Sequence, residues 1–236
     1  MAPGEIAIRA LIIGFIISFA VITGFAYTTL FERKLLGRLQ AHSRSWAPPG
    51  PRRHSHADQT YADRVAELPD EDPTFLAAAR ELIGRARPLL GADGASLDAG
   101  LTHADLHHGN FLADGGALTA IDFDDCAYCA YAFDIAMPLY YAVRAQREVD
   151  PAVAAERFLE PFMRGFQRRA PVPGGGAEAV DLALRYRQVE LVAVLALKLP
   201  AHERNERMRA AEADLRRRVT ESVEPVPYAT LARFFG

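Results

Sequence analysis

Lysine is nearly absent from this chain, since Lys34 and Lys198 are the only two among its 27 basic residues. The formal net charge is −3, which gives no concentrated basic face and excludes nucleic acid as an expected partner. Cysteine is equally scarce: Cys126 and Cys129 are too few for a disulfide framework, which predicts a reducing compartment. A single CxxC pair without a second pair of ligands is also a weak indication of zinc.

Long apolar runs are lacking except for one near the N terminus. Residues 10–30 read ALIIGFIISFAVITGFAYTTL and carry no charge, a length that crosses roughly 30 Å of hydrocarbon as a helix. Arginines follow the run, a bias that holds the C-terminal side in the cytoplasm. The run therefore predicts a single-pass membrane protein with a cytoplasmic C-terminal domain. The alternatives are a buried core helix and a cleaved signal peptide. The signal peptide is the main rival, but FAYTTLFERK offers no small-residue cleavage site.

The end of this run carries a resemblance of its own. The stretch GFAYTTLFERKLLGRLQ is similar to the first membrane helix and first cytoplasmic turn of the H subunit of proton-pumping NADH:quinone oxidoreductase. The similarity covers residues 5–40 and then stops, and no second run of spanning length follows. Quinone and proton chemistry are therefore not carried over. A natural fusion or a join in the gene assembly would each produce this pattern.

Composition divides the chain into three parts. Residues 1–40 form the predicted membrane helix and basic juxtamembrane turn, and residues 41–60 form a Pro-rich linker. Residues 61–236 form a domain that is soluble in character, with apolar residues at helical spacing. Helical spacing of apolar residues in this domain predicts a mostly helical α+β fold around a small β element. The predicted helices cover residues 73–88, 133–146, 154–169, 180–199 and about 203–219.

A dense group of polar residues lies between short apolar runs in THADLHHGNFLADGGALTAIDFDDC. His103, Asp105 and Asn110 fit the pattern HxDxxxxN of a phosphotransferase catalytic loop, and Asp122 follows within IDF, where such enzymes place a metal-binding aspartate. A carboxylate at position 105 can orient and deprotonate an acceptor hydroxyl. Magnesium takes hard oxygen ligands, so an amide oxygen and a carboxylate suffice beside nucleotide phosphates. The predicted cofactors are ATP and Mg²⁺.

A hairpin would bring these metal ligands together. Residues 111–113 and 118–121 have strand character, and the turn Asp114-Gly115-Gly116 lies between them. Pairing of the two strands would place Asn110 and Asp122 at the same end of the hairpin.

The same stretch resembles the catalytic core of the aminoglycoside phosphotransferase and choline kinase-like superfamily. The usual form is HGDLHPGNxL followed by IDFxDAxxGxxxxDLA, and this chain reads HADLHHGNFL and IDFDDCAYCAYAFDIA. The resemblance implies that Asp105 is the catalytic base, that Asn110 and Asp122 bind magnesium, and that His103 is a structural residue of the nucleotide-binding loop. It also implies that Asp124 lies near the metal or acceptor, and that Asp134 anchors the catalytic loop.

Departures from the family pattern are mild within the loop, with Ala104 for glycine, His108 for proline and Cys129 near a usual glycine. A larger departure lies upstream, because no glycine-rich loop or strand lysine precedes His103. The expectation is a kinase-like C-terminal lobe whose N-terminal lobe is missing. A metallohydrolase is a weaker alternative, since HxDxHH does not have the ligand order HxHxDH.

Two functions remain open on the sequence. The first is a truncated ATP-dependent kinase that phosphorylates a small-molecule hydroxyl, for which Asp105, Asn110 and Asp122 argue. The second is an inactive, membrane-tethered remnant or binding module, for which the missing lysine and loop argue. Acidic residues in the domain, Asp125, Glu156 and Glu190, are candidates to meet a cationic acceptor.

Overall fold

Four short strands and a set of helices make up the part of the chain that the computed structural model describes, which is residues 64–65, 72–90, 98–114, 117–123, 125–199 and 201–236. All of them belong to one unit, Pro51–Gly236, and a second unit, Met1–Gly50, lies outside the described residues. The predicted membrane span and the predicted linker also lie outside them. Within the described ranges no helix is long and apolar enough to cross a bilayer. The boundaries at residues 40 and 60 therefore stay predictions.

The helices follow the sequence signals closely. They are α1 (Pro73–Leu90), α2 (Ala132–Ala145), α3 (Pro151–Phe166), α4 (Gly176–Lys198), α5 (Glu206–Thr220) and α6 (Tyr228–Phe235). Asp72 starts α1 by accepting a hydrogen bond from the Thr74 amide at 2.8 Å. Asp150 starts α3 in the same way, accepting from the Ala152 amide at 2.9 Å, and a proline at the first helical position suits both helices. Five helices agree with the predicted ones to within a few residues.

Helix α4 is the centre of the helical layer. It packs against α1, α2, α5 and α6, and buried side chains lie on all of its faces over residues 177–193. A helix with buried side chains on all faces must be enclosed by its neighbours, and α4 is enclosed in this way although it also carries charged residues. The large buried rings of Phe75, Phe133, Tyr140 and Tyr186 fill the space around it. The few polar groups that α4 carries inward are therefore exceptional and bear on function.

The strands form two separate antiparallel pairs. Strands β2 (Phe111–Asp114) and β3 (Ala117–Ala120) form the predicted hairpin, with Phe111 opposite Ala120 and Asp114 opposite Ala117. Strands β1 (Ala99–Thr102) and β4 (Ala127–Ala130) form a second pair that the sequence did not predict. A Cβ at Gly100 would lie 2.1 Å from the Tyr131 hydroxyl, so a larger residue there would displace the end of the Tyr131 side chain. The loop from residue 103 to 110 connects the two pairs.

Candidate active site

Asp134, in the first turn of α2, holds the loop that follows β1. Its Oδ1 accepts hydrogen bonds from the His103 amide at 2.9 Å and the Ala104 amide at 3.3 Å. Burial raises the pKa of the Asp134 carboxyl, although the two amides oppose this effect. The predicted anchoring role of Asp134 is thereby confirmed.

His103 joins the same loop to the segment after the hairpin. Its Nε2 donates to the main-chain carbonyl of Ile121 at 2.9 Å, which fixes the tautomer because a carbonyl can only accept. The ring packs against Phe123 with centroids 4.7 Å apart, and it is only 6% exposed. His103 therefore joins the loop to the chain next to Asp122, in agreement with a structural role.

Ala104 has a left-handed backbone, with φ of 63° at a position where the family pattern has glycine. An L-residue pays about 1–2 kcal/mol in this conformation. The side chain is also buried, at 2% exposure, so a larger residue has no space to occupy. The usual glycine of the family pattern thus has a conformational reason in this structure.

Ala104→Val is expected to destabilise the domain by about 2–3 kcal/mol, because a β-branched residue is strained at positive φ and overpacks a buried site. Ala104→Gly is expected to change stability by less than about 1 kcal/mol, since relief of the left-handed backbone offsets the lost methyl group and the greater freedom of the unfolded chain. Urea unfolding followed by circular dichroism measures both. Ala213→Val on the exposed face of α5 is the control; an equal loss there would contradict the conformational explanation.

Asp105 lies half-buried at the centre of the loop, and both of its carboxylate oxygens have partners. Oδ1 forms an ion pair with Nη2 of Arg187. Oδ2 lies 3.5 Å from Nδ2 of Asn110 and 3.4 Å from Nε2 of His107. The carboxylate is therefore oriented by its neighbours on two sides.

Arg187 was not predicted from the sequence as a site residue. It projects from α4, donates to the Tyr141 hydroxyl at 2.8 Å and to Oε2 of Glu190 at 3.2 Å, and stacks over the Tyr141 ring at 5.5 Å. Burial alone would lower the pKa of Arg187, but the attraction of Glu190, Tyr141 and Asp105 outweighs it, and the pKa is raised. The guanidinium is thus a permanent buried cation beside Asp105. The sequence signal that could have found it is RxxE at i, i+3 within an otherwise apolar helix.

The side-chain amide nitrogen of Asn110 points towards Asp105. Nδ2 donates to the main-chain carbonyl of Asp105 at 2.9 Å, and the side chain is only 6% exposed. This orientation leaves the amide oxygen for an outside ligand. The main-chain carbonyl of Asn110 accepts from the Ile121 amide at 2.9 Å, which extends the hairpin by one pair.

Asp122 follows directly after this pair. It is exposed and has a left-handed backbone, with φ of 61°. The structure thus brings Asp105 and Asn110 into contact. Asp122 directly follows Ile121, whose main chain is hydrogen-bonded to both Asn110 and His103. Asp124, the remaining predicted site residue, lies outside the described residues.

The chemistry of this donor set suits a magnesium ion. An amide oxygen from Asn110 and an exposed carboxylate from Asp122 are both hard oxygen ligands, and Mg²⁺ needs few such protein ligands when phosphates and water complete its shell. Among the described residues no group of three or more His, Cys, Asp and Glu side chains could hold a metal ion. A site completed by nucleotide phosphates is compatible with that finding.

The other polar residues near the loop have structural partners. His107 accepts from the Gly109 amide at 3.0 Å through Nδ1, and its ring lies 4.9 Å from that of Tyr141, so the ring packs within the loop. Cys129 is fully buried, and its Sγ lies 2.9 Å from the Thr102 hydroxyl. Burial raises the pKa of the Cys129 thiol to about 12, so this cysteine stays protonated.

The candidate residues for a cationic acceptor differ in their surroundings. Glu190 is buried against Arg187, and Glu156 forms an ion pair with Arg233. Asp125 is exposed. Two of the three acidic groups are therefore already balanced by an arginine.

The family model described as "Phosphotransferase enzyme family" matches residues 34–172, more than half of the chain, including the whole loop and hairpin. The chain belongs to this family. A curated relative, amicoumacin kinase of Bacillus subtilis (strain 168), is 46% identical in an alignment of 71 residues that covers 28% of this chain and 20% of the relative. The predicted resemblance to the aminoglycoside phosphotransferase superfamily is confirmed.

A solved structure of this phosphotransferase type has the same fold. It is the amicoumacin kinase hAmiN in complex with AMP-PNP, Ca²⁺ and Ami, with a TM-score of 0.67 and 22% identity over 83% of this chain. The match covers 59% of that protein, so this phosphotransferase-family chain spans less than two thirds of the relatives to which it is similar. The predicted mostly helical, kinase-like α+β fold is confirmed. The resemblance of residues 5–40 to the oxidoreductase H subunit stays a prediction.

Proposed function

We propose that this chain transfers a phosphoryl group from ATP to a hydroxyl of a small molecule. The observation that carries the proposal is the contact between Asp105 and Asn110 in a loop fixed by Asp134, inside a stretch that matches the phosphotransferase family. A positioned carboxylate is the one group that this reaction needs from the protein at the acceptor side, because catalysis of phosphoryl transfer is mainly orientation and charge stabilisation.

Asp105 would accept the hydrogen bond of the acceptor hydroxyl and take its proton as the hydroxyl oxygen bonds to the γ-phosphorus of ATP and the bond from that phosphorus to the leaving ADP oxygen breaks. Arg187 would hold Oδ1, so that Oδ2 is the oxygen presented to the acceptor. Asn110 and Asp122 would hold the Mg²⁺ ion, which neutralises charge on the nucleotide phosphates when bound. His103 and Asp134 would keep Asp105, Asn110 and Asp122 in position without touching the reactants.

The acceptor is proposed to be a hydroxyl group of amicoumacin or of a similar small molecule. The 46% identity to an amicoumacin kinase supports this choice over 71 residues. The balancing of Glu190 and Glu156 by arginines leaves Asp125 as the exposed acidic group among the candidates, which weakens the expectation of a polycationic acceptor. Amicoumacin is therefore the first acceptor to test.

Attachment to a membrane is a further part of the proposal. The uncharged run over residues 10–30 and the arginines after it support a single-pass anchor that places the kinase-like domain at the cytoplasmic face. Fractionation of cells that express the full chain tests this: the protein is expected in the membrane fraction, and extraction by carbonate alone would contradict an integral span.

The second candidate function is a nucleotide- or alcohol-binding module without turnover. The scarcity of lysine favours it, because Lys198 is the last residue of α4 and Lys34 precedes the family motif by about seventy positions, neither of which resembles a strand lysine over the phosphates. The two functions predict different results for nucleotide binding and turnover, so they can be separated.

Magnesium-dependent binding of ATP is the test of the proposal. Calorimetry is expected to show ATP binding at least about tenfold tighter with Mg²⁺ than with EDTA, since Asn110 and Asp122 would hold the ion beside the phosphates. Asp122→Asn should remove the Mg²⁺ dependence, whereas Asp125→Asn, an exposed neighbour, should keep it. Absence of Mg²⁺-dependent binding in the parent would contradict the kinase, and binding without transfer to amicoumacin would favour the binding module.

A further inference from the structure

A cavity of about 410 Å³ lies away from the catalytic loop, and none of residues 103–122 lines it. Its walls come from the C-terminal half of α2, the start of α3, the middle of α4 and one face of α5. The volume is in the range of pockets that hold small organic ligands. The cavity shares helices α2 and α4 with the candidate active site but faces the other way: Tyr140 and Gln188 line it, while Tyr141 and Arg187 contact Asp105 or its partner.

The charge of the lining is strongly unbalanced. Four arginines line the cavity and Asp214 is the single acidic residue among the lining residues. The Asp214 carboxylate is already engaged by Arg217 at 2.9 Å and by Arg218 at 2.8 Å. Arg147 and Arg207 form no ion pair with any described residue, and Arg144 donates only to the Tyr140 hydroxyl at 3.4 Å. The cavity therefore holds unbalanced positive charge that an anion would neutralise.

Gln188 supplies a polar group to the cavity wall. Its side chain lines the cavity and is only 2% exposed. Its amide forms no hydrogen bond within the part of the chain that the structure describes, and its polar atoms keep some contact with solvent. The amide can therefore donate to a ligand in the cavity. A second concavity of about 50 Å³ shares Gln188 and Arg218 with the cavity.

The remaining walls are apolar and limit the class of anion. Val143, Val149, Pro151 and Pro225 contribute them. A bare inorganic anion would leave these surfaces against water, whereas an ester would cover them with its organic part. Guanidinium groups match the geometry of phosphate oxygens through paired N–H donors.

We propose that this arginine-lined cavity is a binding site for a phosphate monoester, separate from the site of phosphoryl transfer. Arg144, Arg147 and Arg207 contact the phosphate, the Gln188 amide donates to an ester or phosphate oxygen, and the apolar walls cover the organic group. The proposal does not depend on the kinase function, since no residue of the catalytic loop takes part.

Calorimetry on the full chain with phenyl phosphate and inorganic phosphate tests the site without any assay of turnover. Phenyl phosphate is expected to bind about tenfold more tightly than inorganic phosphate, because the ring covers the apolar wall. The double variant Arg144→Gln/Arg207→Gln should weaken binding about a hundredfold, at about tenfold for each lost charge-assisted contact. Arg168→Gln/Arg169→Gln, which removes two exposed arginines elsewhere, should leave binding within about twofold.

Gln188→Leu separates a ligand contact from a purely structural effect. The variant should bind phenyl phosphate more weakly, because it removes a ligand contact, and it should unfold at about the same temperature, because no hydrogen bond within the described residues is lost. Absence of binding by either phosphate in the parent would overturn the proposal. Binding that survives the Arg144→Gln/Arg207→Gln change would also overturn it, since the phosphate would then occupy another site, such as that of the nucleotide.

Discussion

Asp105→Asn is expected to reduce phosphoryl transfer to an alcohol acceptor by about 10²–10⁴-fold while ATP binding changes little. The loss follows from the chemistry, because an amide cannot take the proton of the acceptor hydroxyl, and positioned bases contribute about this factor. Binding should persist because the proposed Mg²⁺ ligands, Asn110 and Asp122, remain. Steady-state kinetics with saturating ATP measure the first effect, and calorimetry measures the second.

The same change also has a structural cost that must be measured separately. Asp105 accepts from Arg187 and lies within 3.5 Å of Asn110, so the neutral side chain loses a charge-assisted bond worth about 1.5–3 kcal/mol. Asp114→Asn is the matched control, since it makes the same chemical change at an exposed position of the hairpin. A variant that transfers phosphate as fast as the parent would refute the role of Asp105 as base. A fall in rate matched by Asp114→Asn would refute its specificity.

The parts of the structure that the sequence predicted are the local ones. Helix α3 begins where Asp150 and Pro151 occur together, and the β2–β3 hairpin forms where two short apolar runs flank Asp114-Gly115-Gly116. Such elements depend on neighbours within a few residues, so their signals survive in the sequence alone. Asp105 and Asn110 were identified as candidate site residues for the same reason, since both lie in one short motif, and their chemistry stays a prediction.

The parts that were missed depend on contacts between distant positions. Strand β1 pairs with β4 across 25 or more residues, and its sequence AGLT has weak strand character. Arg187 lies 82 positions from the carboxylate that it contacts. The sequence gives the spacing of the residues within the motif, but it does not show which helix packs against the catalytic loop. Helix α6 was also missed, because its eight residues at the C terminus give too short a periodic pattern.

The position of Arg187 changes the chemical picture of the site. A motif alone suggests a carboxylate, an amide and a second carboxylate around one cation, which would be an acidic site. The structure adds a permanent cation on α4, and that cation also holds Glu190 and Tyr141. The guanidinium thereby orients the Asp105 carboxylate before any metal or nucleotide binds. The ion pair between Arg187 and Asp105 is the feature of the site that depends most on the tertiary fold.

Arg187→Met is accordingly expected to destabilise the domain by about 3–5 kcal/mol, which is the usual cost of removing one partner from a buried ion pair. Methionine fills a similar volume, so the loss is electrostatic more than steric. Glu190 is only 4% exposed and loses its guanidinium partner, and Asp105 loses the contact that orients it. Urea unfolding gives the stability. The transfer rate to an alcohol acceptor, measured below the unfolding transition, gives the effect on Asp105.

Three further variants decide whether charge pairing is the cause. Arg187→Lys keeps the charge but not the planar fork, so it should recover only part of the stability. Arg187→Met/Glu190→Gln should be more stable than Arg187→Met alone, because the buried charge that lost its partner is then removed as well. Arg164→Met breaks a pair with Glu160 in which both side chains are more than 60% exposed, and it should cost at most about 1 kcal/mol. If Arg187→Met costs no more than Arg164→Met, the guanidinium is not a structural brace, and the orientation of Asp105 must come from Asn110 and His107 alone.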